Sequence, residues 1–338
     1  MHGRQKGWSV LWPALGLGAF AALRMVRRRA EYADKVVLIS GGSRGLGLVM
    51  ARQFAEQGAR LALSARNARE LERAGNELRA RGATVSTHVC DVTDRTDVMR
   101  MVQEVRQRHG RVDVLCNVAG IITVGPQESM TLADYDDAMN VHFWGPLYTM
   151  LAVVDEMKRR GSGLIINISS IGGKLSVPHM VPYSASKFAL VGLSEGMRAE
   201  LARSGIHVLT VCPGLMRTGS ADHAYFKGRN RAEYTWFSLS AGMPLLTMSA
   251  ERAAAQILKA ARQRRTEVVL SLPALVGARM ANLFPDVTGR AMALTNRFLP
   301  TADGEGRRRF TGRESHGTVT PSLLTRLNDQ AAARNNEL

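Results

Sequence analysis

Cysteine is scarce in this chain: three in 338 residues, Cys90, Cys116 and Cys212, odd in number and far apart. They build neither a disulfide framework nor a zinc-ligand spacing. Each closes a β-branched, apolar run, so each reads as a small buried filler in a reducing compartment. Internal repeats are missing, which excludes a solenoid, and no Gly-X-Y or heptad period suggests a fibre. No basic stripe interleaved with aromatics and no RNP-like segment occurs, so a nucleic-acid reader is not expected, despite a net charge of +16. A resident metal is not expected either.

What is present is the balance of a folded protein, 45% apolar and 22% charged, with room for one large domain or two small ones. The basic surplus, densest over residues 1–35 and 225–300, suits an anionic partner such as lipid head groups or a phosphorylated cofactor. Residues 8–23 (WSVLWPALGLGAFAAL) carry no charge, and Arg24, Arg27, Arg28 and Arg29 follow. The run is slightly short of the roughly 20 residues that span a bilayer as a helix. Met25 and Val26 extend it if Arg24 snorkels to the interface. No small-residue cleavage site precedes the arginines, which argues against a removed signal peptide. Residues 1–33 are therefore expected to form a hydrophobic, helical membrane anchor with a basic flank that keeps the following domain cytoplasmic.

Beyond the anchor, short apolar runs alternate with helical periodicity. Strands are expected at 36–40 (VVLIS), 61–64, 85–89, 112–116, 164–168, 207–211 and 268–270, with helices between them, among them 46–57 and 68–81. Such alternation demands crossover connections, hence a doubly wound parallel sheet with helices on both faces, an α/β fold in a single domain over 34–272. Residues 218–248 interrupt the rhythm and carry Tyr225, Phe226, Tyr234, Trp236 and Phe237. Residues 273–300 form an apolar C-terminal extension, and 301–338 a polar, loosely ordered tail.

The first strand runs into Ser40-Gly41-Gly42-Ser43-Arg44-Gly45-Leu46-Gly47 and then a helix. Glycines there permit a tight turn and let backbone approach a pyrophosphate, whose charge meets a helix N-terminus. With serine for the usual threonine, this segment resembles the TGxxxGxG motif of the short-chain dehydrogenase/reductase family. The resemblance continues at Asn117-Val118-Ala119-Gly120, at Ser170, at Tyr183-Ser184-Ala185-Ser186-Lys187 (a YxxxK motif) and at Pro213-Gly214, in the family's order over roughly 34–272. It implies a Rossmann fold and hydride transfer between a nicotinamide cofactor and a secondary alcohol or carbonyl.

The cofactor expected is NADP(H) rather than NAD(H). The position where NAD-preferring relatives carry an acid is Ala65, followed by Arg66, and Arg44 precedes Gly45; an arginine pairs with a 2′-phosphate that a carboxylate would repel. By resemblance, Ser40 to Gly47 hold the pyrophosphate, Asp91 and Val92 line the adenine pocket, and Asn117, Ala119 and Gly120 flank the cofactor. Pro213, Gly214 and Thr218 face the nicotinamide carboxamide.

Tyr183 and Lys187 lie four apart and share a helix face, with Pro182 suited to that helix's first turn. A phenol of ordinary pKa about 10 is a poor base at neutral pH, and a nearby ammonium brings it into range. The resemblance assigns Tyr183 as acid/base, Lys187 as its electrostatic partner and ribose ligand, and Ser170 as a hydrogen-bonding group on the substrate oxygen. Where the family carries an asparagine, this chain has His142, whose imidazole can also hold a water in a proton relay.

The expected role is carbonyl–alcohol interconversion, in the reductive direction, with residues 218–248 as a lid over an apolar substrate pocket. Relatives often pair through the helix bearing the tyrosine and its predecessor, so a homodimer or homotetramer is expected. Two rival readings stand beside this one: a catalytically weak nucleotide-binding regulator, and a membrane-surface binding module on the same scaffold.

Overall fold

The structure, a computed structural model, describes residues 31–243, 247–302, 306–316 and 326–337. The expected anchor run at 8–23 and its arginines lie outside the described residues.

Seven parallel strands make the central sheet: β1 (Val36–Ser40), β2 (Arg60–Ala65), β3 (Val85–Val89), β4 (Val114–Asn117), β5 (Gly163–Ile168), β6 (Ile206–Pro213) and β7 (Glu267–Leu270). Their spatial order is β7-β6-β5-β4-β1-β2-β3. Helices α1 (Gly45–Ala55), α2 (Ala68–Ala80), α3 (Arg95–His109), α4 (Leu132–Met139), α5 (Gly145–Arg160), α6 (Val181–Leu201), α7 (Asn230–Gly242) and α8 (Ala250–Arg262) follow in chain order. The expected strands are all present, their ends shifted by at most two residues.

The pleat explains why β1 is apolar without interruption. Val37 and Ile39 point to one face, where Leu48 and Phe54 of α1, Leu78 of α2 and Ile257 of α8 cover them. Val36 and Leu38 point to the other, under Met101 and Val105 of α3 and Met150 and Val153 of α5. A strand covered on both faces has no use for a polar residue until its end. Cys90, Cys116 and Cys212 are buried and free, the filler role expected of them.

β1 pairs with β2 on one side and β4 on the other, so successive crossovers diverge at that boundary. Past the carboxyl ends of these strands a crevice must open, because the two connections leave in opposite directions. The glycine turn sits there. Gly41 has φ +79°, and a Cβ on it would lie 2.6 Å from the Ala119 nitrogen. A Cβ on Gly47 would lie 2.0 Å from the Gly41 carbonyl oxygen. We expect Gly47→Ala to destabilise the fold by about 2–3 kcal/mol through overpacking, read as a lowered denaturant midpoint.

The lid region differs in part from expectation. Phe226, Tyr234 and Phe237 close a separate small core with Val124, Ala221 and Ala224, so those aromatics are packing residues. The described parts of the polar tail, 306–316 and 326–337, include regular structure that its composition does not suggest. Phe310–Thr311 pairs antiparallel with Tyr225–Phe226, which pairs in turn with Thr123–Val124. Helix α11 (Arg326–Arg334) then returns the chain to the glycine turn. Before it, α9 (Leu272–Leu283) and α10 (Pro285–Asn296) form a pair in which α10 buries none of its residues.

Candidate active site

The crevice beyond β1 and β4 encloses about 480 Å³. Of the residues expected to bind cofactor, Gly41, Ser43, Arg44, Gly45, Leu46, Gly47, Arg66, Asp91, Val92, Ala119, Gly120 and Thr218 line it. His142, Tyr183 and Lys187 line it as well. Ser40, Asn117, Ser170, Pro213 and Gly214 are not among its lining residues. Ser40 accepts the Val118 and Ala119 N–H groups on its carbonyl (3.0 and 2.9 Å), tying β1 to the segment after β4. Gly214 lies where a Cβ would meet Ser271 Oγ at 2.8 Å.

These residues suit a dinucleotide. The N-terminus of α1 points its amides into the crevice, and the first turn of that helix holds no acid. Gly41 and Gly47 let the turn pack against the Ala119 and Gly41 backbone, which keeps it tight beside the crevice. Asp91 is held by Thr93, whose N–H and Oγ donate to its carboxylate at 3.0 and 2.8 Å.

Asn117 bridges the sheet to α5. Its Nδ2 donates to Asn167 Oδ1 at 2.9 Å, and its own Oδ1 accepts from Thr149 Oγ1 at 2.7 Å. Asn167 in turn donates to Ser194 on α6 at 2.9 Å, so one buried polar chain fixes β4, β5 and the helix carrying the tyrosine. Asn167 escaped sequence reasoning. The signal was an asparagine inside the apolar run LIINI, since a buried amide must find partners.

Pro182 starts α6, and Tyr183 and Lys187 share its crevice face. Lys187 is buried, and its Nζ donates to the Ile168 carbonyl at 2.9 Å, 5.7 Å from the centre of the Tyr183 ring. Burial pulls the lysine down to about 7. Tyr183 is pushed above its ordinary value by burial, with Ser170 opposing through a side-chain hydrogen bond. Burial is the largest influence on both groups. Ser170 also caps the turn that follows, accepting the Gly172 N–H at 3.0 Å.

His142 sits in a π-helical turn, Asn140–Trp144, and is fully buried. The Ile121 N–H donates to its Nε2 at 3.1 Å, which assigns the proton to Nδ1. That nitrogen contacts Ser186 Oγ at 2.8 Å, and Ser186 Oγ donates to the Tyr183 carbonyl at 2.8 Å. Burial, reinforced by Lys187, holds the imidazole well below its ordinary value, hence neutral. Both ring nitrogens are engaged by protein, so the geometry makes His142 a positioning residue for the start of α6. We expect His142→Ala to lower stability by about 2–4 kcal/mol, by leaving a void and an unpaired Ile121 amide. His142→Asn, which restores an acceptor, should recover most of it in a denaturation series.

The largest surprise is a residue from the far end of the chain. Glu337 lines the crevice, its Oε2 3.6 Å from Arg44 Nε. Arg44 also meets His223 Nδ1 at 2.6 Å and Glu70 at 3.7 Å. Arg66, by contrast, is exposed at the crevice mouth.

Comparison with known proteins agrees with this geometry. A family model described as short chain dehydrogenase matches residues 35–226. Dehydrogenase/reductase SDR family member 7B of Danio rerio is 32% identical over 278 residues, covering 80% of this chain and 88% of that protein. A putative ketoacyl reductase of the granaticin polyketide synthase of Streptomyces violaceoruber is 39% identical over 192 residues, 56% of this chain and 71% of its own. Among solved structures, a gluconate 5-dehydrogenase from Burkholderia cenocepacia in complex with NADP and tartrate superposes with a TM-score of 0.65 at 28% identity, covering 74% of this chain and 98% of that one.

Proposed function

The chain belongs to the short-chain dehydrogenase family, oxidoreductases acting on CH–OH donors with a nicotinamide dinucleotide, and from that premise we propose that it reduces an apolar carbonyl to a secondary alcohol with NADP(H), Tyr183 delivering the proton. The observation that carries the reading is the convergence of Tyr183, Lys187 and the glycine turn on one crevice.

A nicotinamide dinucleotide held in the crevice would supply a hydride to the carbonyl carbon. Tyr183 would pass its proton to the carbonyl oxygen as negative charge grows there. Ser170, hydrogen-bonded to the phenol, orients that hydroxyl. Lys187, its Nζ 5.7 Å from the centre of the Tyr183 ring, would hold the nicotinamide ribose and, when charged, stabilise the phenolate left behind. Thr218, buried in the crevice wall, would hold the carboxamide.

Preference for NADP(H) is supported by Arg44 and Arg66 in the crevice and by Ala65 where an acid would stand. The solved relative from Burkholderia cenocepacia carries NADP by its own description.

An apolar substrate is supported by the surroundings of α9 and α10. They expose Leu272, Leu283, Phe284, Val287, Leu294 and Phe298, interspersed with Arg279, Arg290 and Arg297. Helix α9 lies beside the loop between Ser170 and Tyr183: a Cβ on Gly277 would be 3.7 Å from Leu175. An apolar, basic face next to the substrate end suits a membrane surface and a substrate dissolved in it. No helix among the described residues is long and apolar enough to cross a membrane. Membrane association rests here on this face and on the uncharged run at 8–23.

The test is a panel of ketones and aldehydes with NADPH and with NADH, following loss of nicotinamide absorbance. Turnover of apolar carbonyls with NADPH supports the reading, and binding without turnover of any carbonyl favours the regulatory rival. Co-flotation of the full chain with anionic liposomes is the expected companion result; a chain that stays in solution in low salt sinks the membrane part alone.

A further inference from the structure

Resting on that reading of the crevice, we propose that residues 335–337 are an internal competitor for the phosphate end of the dinucleotide site, so that cofactor binds only as the C-terminal segment leaves. The structure brings the chain's last described residues onto the groups a dinucleotide needs. Gly45, first residue of α1, donates its N–H to the Asn335 carbonyl at 2.9 Å. Asn336 Nδ2 donates to the carbonyls of Ser43 and Glu70 at 2.8 and 3.0 Å. Glu337 Oε1 lies 2.6 Å from where a Cβ on Gly45 would be, so the carboxylate sits directly against the glycine turn.

The chemistry matches that of the ligand it displaces. A helix N-terminus with free amides, next to a guanidinium, attracts anions. The tail presents an oxygen to the amide and a carboxylate to Arg44, as a cofactor would present phosphate oxygens. Arg52, on the next turn of α1, holds the segment by donating to Asn335 Oδ1 at 3.0 Å and to the Arg334 carbonyl at 2.8 Å. The far side is closed by Arg313, which donates to the Glu337 backbone carbonyl at 3.1 Å, and by Gly219, where a Cβ would strike Ala332 at 2.4 Å.

The seat is specific but not comfortable. Glu337 is nearly fully buried, and its Oε2 has only looser contacts, 3.2 Å to His223 Nε2 and 3.6 Å to Arg44 Nε, while the Asn335 side-chain Nδ2 lacks a partner. Burial pushes the Glu337 carboxyl up to about 7 against the pull of Arg44 and Arg313, with Glu70 and Asp222 adding to the rise. A dinucleotide offers several phosphate charges to the same donors and need not bury a carboxylate among Glu70 and Asp222. Docking therefore lowers the fraction of chains ready for cofactor without abolishing binding, and apparent affinity falls by that fraction.

The experiment measures NADPH affinity by fluorescence titration for the full chain, for a chain ending at Arg334, and for Asn336→Ala in the full chain. A docked state holding about nine chains in ten predicts roughly tenfold tighter binding without residues 335–338, with Asn336→Ala between the two. In the intact protein, saturating NADPH should strip amide-exchange protection from 331–337, a readout that needs no variant. Equal or weaker binding by the shortened chain, with tail amides still protected under NADPH, overturns the competitor and leaves the dinucleotide site standing. If no form binds NADPH or NADH, the dinucleotide reading itself falls, and the competitor with it.

Discussion

Tyr183→Phe is expected to lower kcat for carbonyl reduction by about 10³-fold, the scale of a lost general acid, with NADPH affinity unchanged. The substitution keeps the ring, its edge contact with His142 at 5.4 Å, and the packing against Gly172. It removes only the hydroxyl and its bond to Ser170, so stability should move by no more than about 1 kcal/mol. A large rate loss on an intact fold is the signature of a proton donor. A variant as fast as wild type would end the assignment.

The pH dependence follows from the sign of the shift. Burial raises the phenol, so it keeps its proton through neutral pH and beyond. Reduction, which needs the proton, is expected to run on a plateau at neutral pH and to fall on the alkaline side. Alcohol oxidation, which needs the phenolate, should rise as pH increases over the same range. A pair of profiles with the opposite trends would mean that another group supplies the proton.

How far this could be read from sequence depended on distance along the chain. The strand VVLIS, its glycine turn and the i, i+4 pair of Tyr183 and Lys187 are local patterns, and local patterns carry their own geometry. Asn117 was recognised by family likeness, whereas its partner Asn167 became visible only when the sheet register set the two side by side. The lid aromatics pointed two ways, since rings that line a pocket and rings that fill a core have the same composition. The tail was misread for a physical reason. Its closing residues, Arg334-Asn335-Asn336-Glu337, are polar enough to read as solvated, and their partners at Ser43, Gly45 and Arg52 lie nearly three hundred positions away. No periodicity encodes such a contact. Burial was illegible in the same way at Lys187: spacing places the amine near the phenol, but only the fold shows that both are buried and that desolvation is the largest influence on each.

That burial gives Lys187→Met its expected outcome, a protein whose stability and activity move apart. The lysine lies almost wholly out of water and is held near 7, with Cys212 as the one further influence, raising it. An unfolded lysine titrates near 10.4. Between these two values the unfolded chain binds the proton and the folded chain releases it, so wild-type stability climbs with pH across that window. Below about 7 both states hold the proton, and the folded state bears the full burden of a buried ammonium. Methionine fills a similar volume with nothing to protonate, although it leaves the Ile168 carbonyl without its donor. Denaturation of both proteins between pH 6 and 9 should therefore show their difference moving towards wild type by about 1.4 kcal/mol per unit above 7, one proton's worth. Reduction by the variant should be about 10³-fold slower at pH 6, where the wild-type amine is charged beside the phenolate, and the gap should narrow above 7, where that amine is neutral. Parallel stability profiles would show that the amine keeps its ordinary pKa in the fold, and the phenol would then have an ammonium beside it at every pH where the enzyme works.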